Sequence, residues 1–267
     1  MPASDRAALR DQLATIVREA GDVARIMSSG DFKKWTKGKD ASPVSDGDIA
    51  VNALLQAKLP ELVPGSGWLS EETEDNAART GAPSVWIVDP IDGTRAYISG
   101  RADWTISVAL IESGRPVLAA LYAPVTDEMF LATTGDGATL NGKRLRVSAG
   151  ESLAEANVAG PQRYLKQLTD MQSRIQAQPK VFSLALRFAR VAQGALDAAF
   201  ASRGSHDWDL AAADLIVHEA GGVMTDFADR PLRYNQAHVA HDALVAAGPA
   251  RHQALIDLVR DRQGEFA

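Results

Sequence analysis

Trp86-Ile87-Val88-Asp89-Pro90-Ile91-Asp92-Gly93-Thr94 is the stretch from which the rest of the chain is read. An apolar run of strand type, Val85 to Val88, breaks into two carboxylates, a proline, a glycine and a threonine. Proline has no N–H to give to a ladder, so the strand is expected to end at Pro90. Glycine lets the backbone turn tightly. The expected product is a rigid elbow presenting Asp89, the Ile91 carbonyl, Asp92 and the Thr94 hydroxyl in one small volume. Oxygen ligands so gathered suit a hard cation such as Mg²⁺. An Asp-Gly pair alone usually marks only a turn. The second acid, the proline, the threonine and further acids elsewhere weigh towards a site.

The chain has 267 residues, room for one large domain or two small ones. Hydrophobic residues make up 46% and charged residues 23%, an ordinary globular balance. A net charge of −6 argues against a nucleic-acid-coating protein, which needs a basic face. It leaves room for a small phosphorylated ligand whose charge a bound metal offsets. With no cysteine there are no disulfides, thiolate nucleophiles or zinc–thiolate sites. No apolar run approaches the roughly 20 residues of a membrane span, and the first residues carry no apolar signal core. A cytoplasmic enzyme is the expectation.

Leu9, Leu13, Ile16, Val17, Ala20, Val23 and Met27 recur at helical spacing, which predicts an amphipathic helix over 4–28 with Ser4 as its N-cap. Residues 29–44 read as a polar loop carrying Lys33, Lys34, Lys37 and Lys39, either solvated or a basic flap near an anionic substrate. A second helix opens at Ser45, with Asp48 at the third position of a capping box, and runs to about Leu59. Trp68-Leu69-Ser70 is a short strand that ends in Glu71-Glu72. Neighbouring strand residues point to opposite faces, so only one of this pair can enter a metal shell; Glu71 is chosen, with Glu72 behind it. Residues 73–83, acidic and small, are expected as a surface loop.

After the elbow, Trp104 to Ile111, Val117 to Tyr122 and Glu128 to Thr133 predict an antiparallel meander. Beyond about residue 150 the chain alternates short strands and helices. Strands are expected at 157–160, 196–199, 223–225 and 243–247, and helices at 164–175 and 185–193. Ser205-His206-Asp207-Trp208-Asp209 opens an apolar helix to Glu219, and Pro249 starts a last helix over 250–260. An acid in a first helical turn also favours the positive helix end, which is the plain reading of Asp209.

Together the motifs resemble the inositol monophosphatase superfamily of Mg²⁺-dependent, lithium-sensitive phosphatases. Asp89-Pro90-Ile91-Asp92-Gly93-Thr94-x-x-Tyr97 is similar to the first family motif. Trp208-Asp209-x-Ala211-Ala212 through Gly221-Gly222 is similar to the second. Ser42-Pro43-Val44-Ser45-x-x-Asp48 and Ser70-Glu71-Glu72 fall where the family has a hydroxyl–aspartate segment and a glutamate pair. The resemblance implies an α/β (α+β) fold, a five-layered αβαβα sandwich. An N-terminal α+β half (1–150) would hold most metal ligands, and a C-terminal α/β half (151–267) would supply Asp209. It implies two or three Mg²⁺ ions and a homodimer. Glu71, Asp89 and the Ile91 carbonyl would hold one metal, and Asp89, Asp92 and Asp209 a second. Glu71 would also touch a weaker third ion. Asp48 and Thr94 would orient and deprotonate the attacking water, and the Gly93 and Thr94 N–H groups would bind phosphate oxygens.

Inositol-specific members usually carry an acid seven residues before the Trp-Asp aspartate, where this chain has Ser202. Arg203 and His206 stand nearby and could face a second phosphate or a base. The wording around Trp68–Glu72 and Ser183–Arg187 is most similar to bacterial members regarded as 3′(2′),5′-bisphosphate nucleotidases. Inositol 1-phosphate and histidinol phosphate are the alternative substrates. A non-catalytic regulator of the same fold is the alternative of another class.

Overall fold

The computed structural model describes residues 3–30, 32–37, 42–171 and 174–261. The apolar stripe of the first helix is buried where the spacing puts it: Leu13, Val17, Ala20 and Ala24 have no exposed surface, and α1 runs Ala3–Ser28. Each fully buried Leu or Val there contributes about 1.5–3 kcal/mol of transfer free energy, so packing rather than propensity holds the helix. The chain then forms β1 (Lys34–Lys37), β2 (Ser42–Ser45), α2 (Asp46–Leu62) and β3 (Gly67–Ser70). A 3₁₀ turn (Ala77–Gly81), β4 (Ser84–Asp92) and α3 (Thr94–Ile98) follow. The meander is β5 (Thr105–Glu112), β6 (Arg115–Ala123), β7 (Glu128–Thr133), β8 (Gly137–Leu140) and β9 (Lys143–Arg144). Next come β10 (Asn157–Ala159), α4 (Gln162–Met171), β11 (Gln176–Ala177), α5 (Leu184–Ala192) and β12 (Ala198–Ala201). The chain closes with α6 (Asp207–Glu219), β13 (Val223–Asp226), β14 (Leu244–Ala247) and α7 (Pro249–Asp261).

Strands β3 to β9 form one seven-stranded sheet in chain order, with β3 and β4 parallel and the rest antiparallel. A five-stranded sheet has the order β11-β10-β12-β14-β13. Alternation along the strands assigns the layers. Trp86, Val88, Val108 and Leu110 face α1 and α2, while Val85, Ile87, Ala109 and Ile111 face α5 and α6. In the second sheet Ala199, Ala201 and Ala246 face those same helices. Ala198, Phe200 and Val245 face α4 and α7. The result is the five-layered αβαβα sandwich. α6 lies between two sheets, which is why it is apolar on nearly every face: Leu210 to Val217 are all buried. Among the described residues no helix is long and apolar enough to cross a membrane.

Several expectations are corrected. Pro90 does not end its strand. β4 continues to Asp92, with Asp89 opposite Ser107 and Asp92 opposite Thr105, so three steps on β4 meet two on β5. The extra residue is a bulge, one of the few places where a sheet tolerates proline. The 29–44 segment is not simply a loop, because β1 and β2 pair as an antiparallel hairpin. Lys39 falls outside the described residues. The 73–83 stretch contains the 3₁₀ turn and a buried Arg79. Arg79 hydrogen-bonds Asp75 at 2.7 Å, Asn235 Oδ1 at 2.7 Å and the Gln236 carbonyl at 3.0 Å. Among the described residues the helix expected over 164–175 covers Gln162–Met171 and leaves 174 and 175 outside it, and the strand expected at 196–199 sits two residues later.

Candidate active site

The β4 bulge carries Asp89 and Asp92 into a cleft that is also lined by Glu71, Thr94 and Asp209. Glu71 follows β3, whose parallel register sets Ser70 beside Val88, and its N–H donates to the Val88 carbonyl at 3.3 Å. Asp209 projects from the first turn of α6. One carboxylate oxygen from each of Asp89, Asp92 and Asp209 lies within 4.8 Å of the others. The elbow is braced locally: the Ile91 N–H donates to Asp89 Oδ1 at 3.0 Å. Gly93 closes it at φ +92°, and a Cβ there would come within 3.0 Å of the Ser183 nitrogen. Only glycine fits both the left-handed backbone and that approach.

Asp92 is held from across the molecule. It accepts from Ser183 Oγ at 2.6 Å, Leu184 N–H at 3.1 Å and Ala185 N–H at 2.7 Å, at the start of α5. Sequence reasoning missed this contact. A serine before an apolar periodic run is a readable N-cap signal, and Ser183 Oγ does accept from the Leu186 N–H. Its link to an acid 91 residues away carries no local signature.

Burial dominates the electrostatics. Desolvation, then repulsion from Glu71, Asp92 and Asp209, pushes the Asp89 carboxyl well above its ordinary range. Asp92 is pushed up to about 7 by burial and Asp209, against the donors of α5. Glu71 is also pushed up to about 7, first by burial, although Lys37 opposes the shift. Lys37 Nζ lies 3.3 Å from Glu71 Oε1 and 2.5 Å from Glu72 Oε1. It thereby ties the β1–β2 hairpin to the cleft, and Glu72 is engaged there rather than towards Asp89. Acids that repel one another in a largely buried cluster are a donor set lacking positive charge. A hard divalent cation supplies that charge and prefers these oxygens, so the residues fit such an ion.

Asp48 lies behind the cleft. Its Oδ2 accepts from the Ser45 N–H at 2.8 Å and Ser45 Oγ at 2.6 Å, the expected capping box. Its Oδ1 faces the Thr94 hydroxyl at 3.2 Å, and that hydroxyl is also 3.1 Å from the Ile91 carbonyl. Burial raises Asp48 to about 6, against the bonds from Ser45. The cap and the Thr94 contact coexist on opposite oxygens of one carboxylate.

The other residues singled out in the sequence separate. His206 precedes α6, donates its backbone N–H to Asp209 Oδ2 at 2.6 Å, and stacks on Trp208 at 4.6 Å. The contact with Asp209 raises its pKa. Asp207 turns away from Asp209 into the core. There it meets His241 Nε2 at 2.7 Å and accepts from the Asn235 N–H at 2.8 Å. The Ser202 carbonyl accepts from Ser205 Oγ at 3.2 Å. Arg203 is exposed, lies 3.4 Å from Asp242, and lines a different cavity with Arg163, Phe227 and Arg230. Arg95, Lys180, Phe182 and Leu184 line the carboxylate cleft instead.

The sequence model of the inositol monophosphatase family matches residues 5–263. The chain belongs to the inositol monophosphatase family. Its relatives include the inositol-1-monophosphatase of Rhizobium meliloti, 34% identical over 221 residues that cover 79% of this chain and 80% of that protein. The Nus factor SuhB of Salmonella typhimurium is 29% identical over 254 residues, 91% of this chain and 92% of that protein. Among solved structures, the IMPase of Thermotoga maritima superposes with a TM-score of 0.83 at 26% identity, covering 96% of this chain and 98% of that one. Membership of the inositol monophosphatase family makes the protein a phosphatase of a metal-dependent class, and the buried acidic cluster is where a metal fits.

Proposed function

We propose that the protein is a Mg²⁺-dependent phosphate monoester hydrolase that attacks a small phosphorylated metabolite with an activated water. The observation that carries this is the convergence of Asp89, Asp92 and Asp209 within 4.8 Å, beside Glu71 and the Thr94–Asp48 pair. Glu71, Asp89 and the Ile91 carbonyl would hold one ion, and Asp89, Asp92 and Asp209 a second. Bound divalent ions supply a water of lowered pKa, neutralise phosphate oxygens and stabilise the leaving alkoxide. The chain's own part is positioning. Thr94, whose hydroxyl lies between the Ile91 carbonyl and Asp48, receives the proton of the attacking water and passes its own to Asp48. A carboxylate raised to about 6 is well matched to take that proton near neutral pH. The Gly93 and Thr94 N–H groups, at the tight turn of the elbow, receive phosphate oxygens. Ser183 and the first N–H groups of α5 keep Asp92 oriented.

The cleft, about 280 Å³, suits a small metabolite. The substrates proposed are a 3′(2′),5′-bisphosphate nucleotide or inositol 1-phosphate, with histidinol phosphate behind them. A phosphate-release panel with Mg²⁺ over these three, fructose 1,6-bisphosphate and NADP should show turnover on at least one. No release from any of them would remove the hydrolase reading. Likeness to a protein named Nus factor SuhB favours a second reading, a regulator that works by binding. That reading gains if a partner is retained by Asp89→Asn while the wild type releases no phosphate.

A further inference from the structure

Asp209 has to be held where it is. It projects from α6, whereas Asp89 and Asp92 ride on β4, and its charge pushes up the carboxyls of Glu71, Asp89 and Asp92. That repulsion presses the first turn of α6 away from the sheet. One tie between the two is short: Ser107 Oγ of β5 donates to the Trp208 carbonyl at 3.2 Å. A longer tie runs through the acid that turns away from the cleft.

Asp207 is fully buried, and both of its oxygens are engaged with the 231–241 segment. Oδ2 accepts from the Asn235 N–H at 2.8 Å, and Oδ1 lies 2.7 Å from His241 Nε2. The backbone repeats the link. The Asp207 N–H donates to the Val239 carbonyl and the His241 N–H to the Ser205 carbonyl, both at 2.8 Å, and His206 pairs with Ala240 as an antiparallel bridge. This segment is in turn fastened to the N-terminal half. Buried Arg79 donates to Asn235 Oδ1 at 2.7 Å and to the Gln236 carbonyl at 3.0 Å, and Asn235 Nδ2 donates back to the Arg79 carbonyl at 3.3 Å. Two bonds to Asp75, at 2.7 and 2.9 Å, fix the guanidinium in its plane. Arg79 lies on the 3₁₀ turn between β3, which leads into Glu71, and β4, which carries Asp89 and Asp92. Asn235 makes its contacts from a backbone φ of +58°, in the left-handed region that a residue with a side chain adopts at a cost.

We propose that Arg79, Asn235 and Asp207 are positioning residues for Asp209. The buried chain of bonds through them sets the first turn of α6 against the sheet that carries Asp89 and Asp92, and so sets the affinity of the cluster for its divalent ion. This rests on the reading of the carboxylate cluster as a metal site. None of the three residues lines the cleft, so each acts through the backbone that carries Asp209. A satisfied polar network in the interior holds one geometry, because any slip leaves a buried donor or acceptor without its partner. A ligand already held against the repulsion of its neighbours costs the ion less to gather. Partners that orient a metal ligand are typically worth about 10–100-fold in affinity.

The test reads Mg²⁺ affinity without substrate, from the Tm of the full chain across a Mg²⁺ titration, beside the Tm in chelator and kcat at saturating Mg²⁺. Asn235→Gly removes the side-chain link to Arg79, keeps the N–H that Asp207 accepts from, and suits a φ of +58°. It should melt close to the wild type in chelator, require several-fold more Mg²⁺, and regain most of kcat once saturated. Asn235→Asp keeps an oxygen for Arg79 and should stay close to the wild type on all three readouts. Asp207→Ala removes both side-chain contacts and should raise the Mg²⁺ requirement by about tenfold or more. Mg²⁺ midpoints that match the wild type in Asn235→Gly and Asp207→Ala, even with a lowered Tm in chelator, overturn the proposal, because the network then serves the fold alone. An Asn235→Asp weakened as much as Asn235→Gly overturns Arg79 as its anchor. A wild type whose Tm does not respond to Mg²⁺ overturns the metal site and the proposal together.

Discussion

Asp89→Asn is expected to stop turnover and to stabilise the metal-free protein at the same time. The variant keeps the bond from the Ile91 N–H, because the amide oxygen takes the place of Oδ1. It removes a carboxyl that burial and the charges of Glu71, Asp92 and Asp209 hold well above its ordinary range. An amide gives that crowded position donors instead of another negative charge. The gain should show as a higher Tm in chelator at neutral pH, where the crowded carboxyl is most costly. The same amide is a poor ligand for a hard cation. Turnover should fall by about 10²–10³-fold or more, the scale of losing one preorganised electrostatic contact to the transition state. Thermal melts in chelator alongside steady-state kinetics check both halves. A variant that melts lower and loses activity would show that Asp89 serves the fold, not the ion.

The second large effect is a metal stabilisation that grows with pH. Glu71 rises from an ordinary 4.5 to about 7, and Asp92 from 3.8 to about 7. The unfolded chain releases these protons near pH 4, whereas the folded, metal-free protein keeps them until near pH 7. Between those values the folded state binds more protons, so rising pH destabilises it. The penalty is absent below about pH 4 and complete above about pH 7. A divalent cation takes the place of the protons and removes the penalty. The Tm difference with and without Mg²⁺ should therefore be small near pH 4.5 and largest above pH 7, where the relieved penalty is about a few kcal/mol. A difference that stays flat over this range would mean that the ion does not bind at these carboxylates.

Much of the fold was legible because periodicity survives in the sequence wherever one face is buried. The stripe of α1, the meander from β5 to β7 and the apolar α6 each appear in place. The failures have physical causes. Pro90 looked like a strand end because a bulge, which removes the cost of its missing N–H, shows only in the pairing with β5. The β1–β2 hairpin was hidden by its composition, since its Lys, Thr and Ser side chains are mostly exposed or half-buried and leave no apolar alternation. Arg79 was lost in an acidic stretch because its burial depends on Asn235 and Gln236, more than 150 residues away.

The candidate site divides the same way. Asp89, Asp92, Glu71, Asp209, Asp48 and Thr94 could be marked from local motifs, and the fold gathers all of them. Asp207 and Asp209 looked alike in sequence, two acids around one tryptophan. Their separation, one into the cleft and one to His241, is set by the helical turn that α6 begins there. Ser183 and Phe182 carried no metal-site signal, because their importance comes from a loop that reaches the cleft through Asp103 and Asp92.

The most direct measurement is phosphate release from the best substrate of the panel, first in chelator and then across a Mg²⁺ titration, with wild type and Asp209→Asn side by side. The wild type should be silent in chelator and recover along a saturable curve, while Asp209→Asn should stay near background at the same concentrations. Wild-type release in chelator as fast as with Mg²⁺, or an Asp209→Asn curve that overlays the wild type, would contradict the carboxylate cluster as the centre that activates the water.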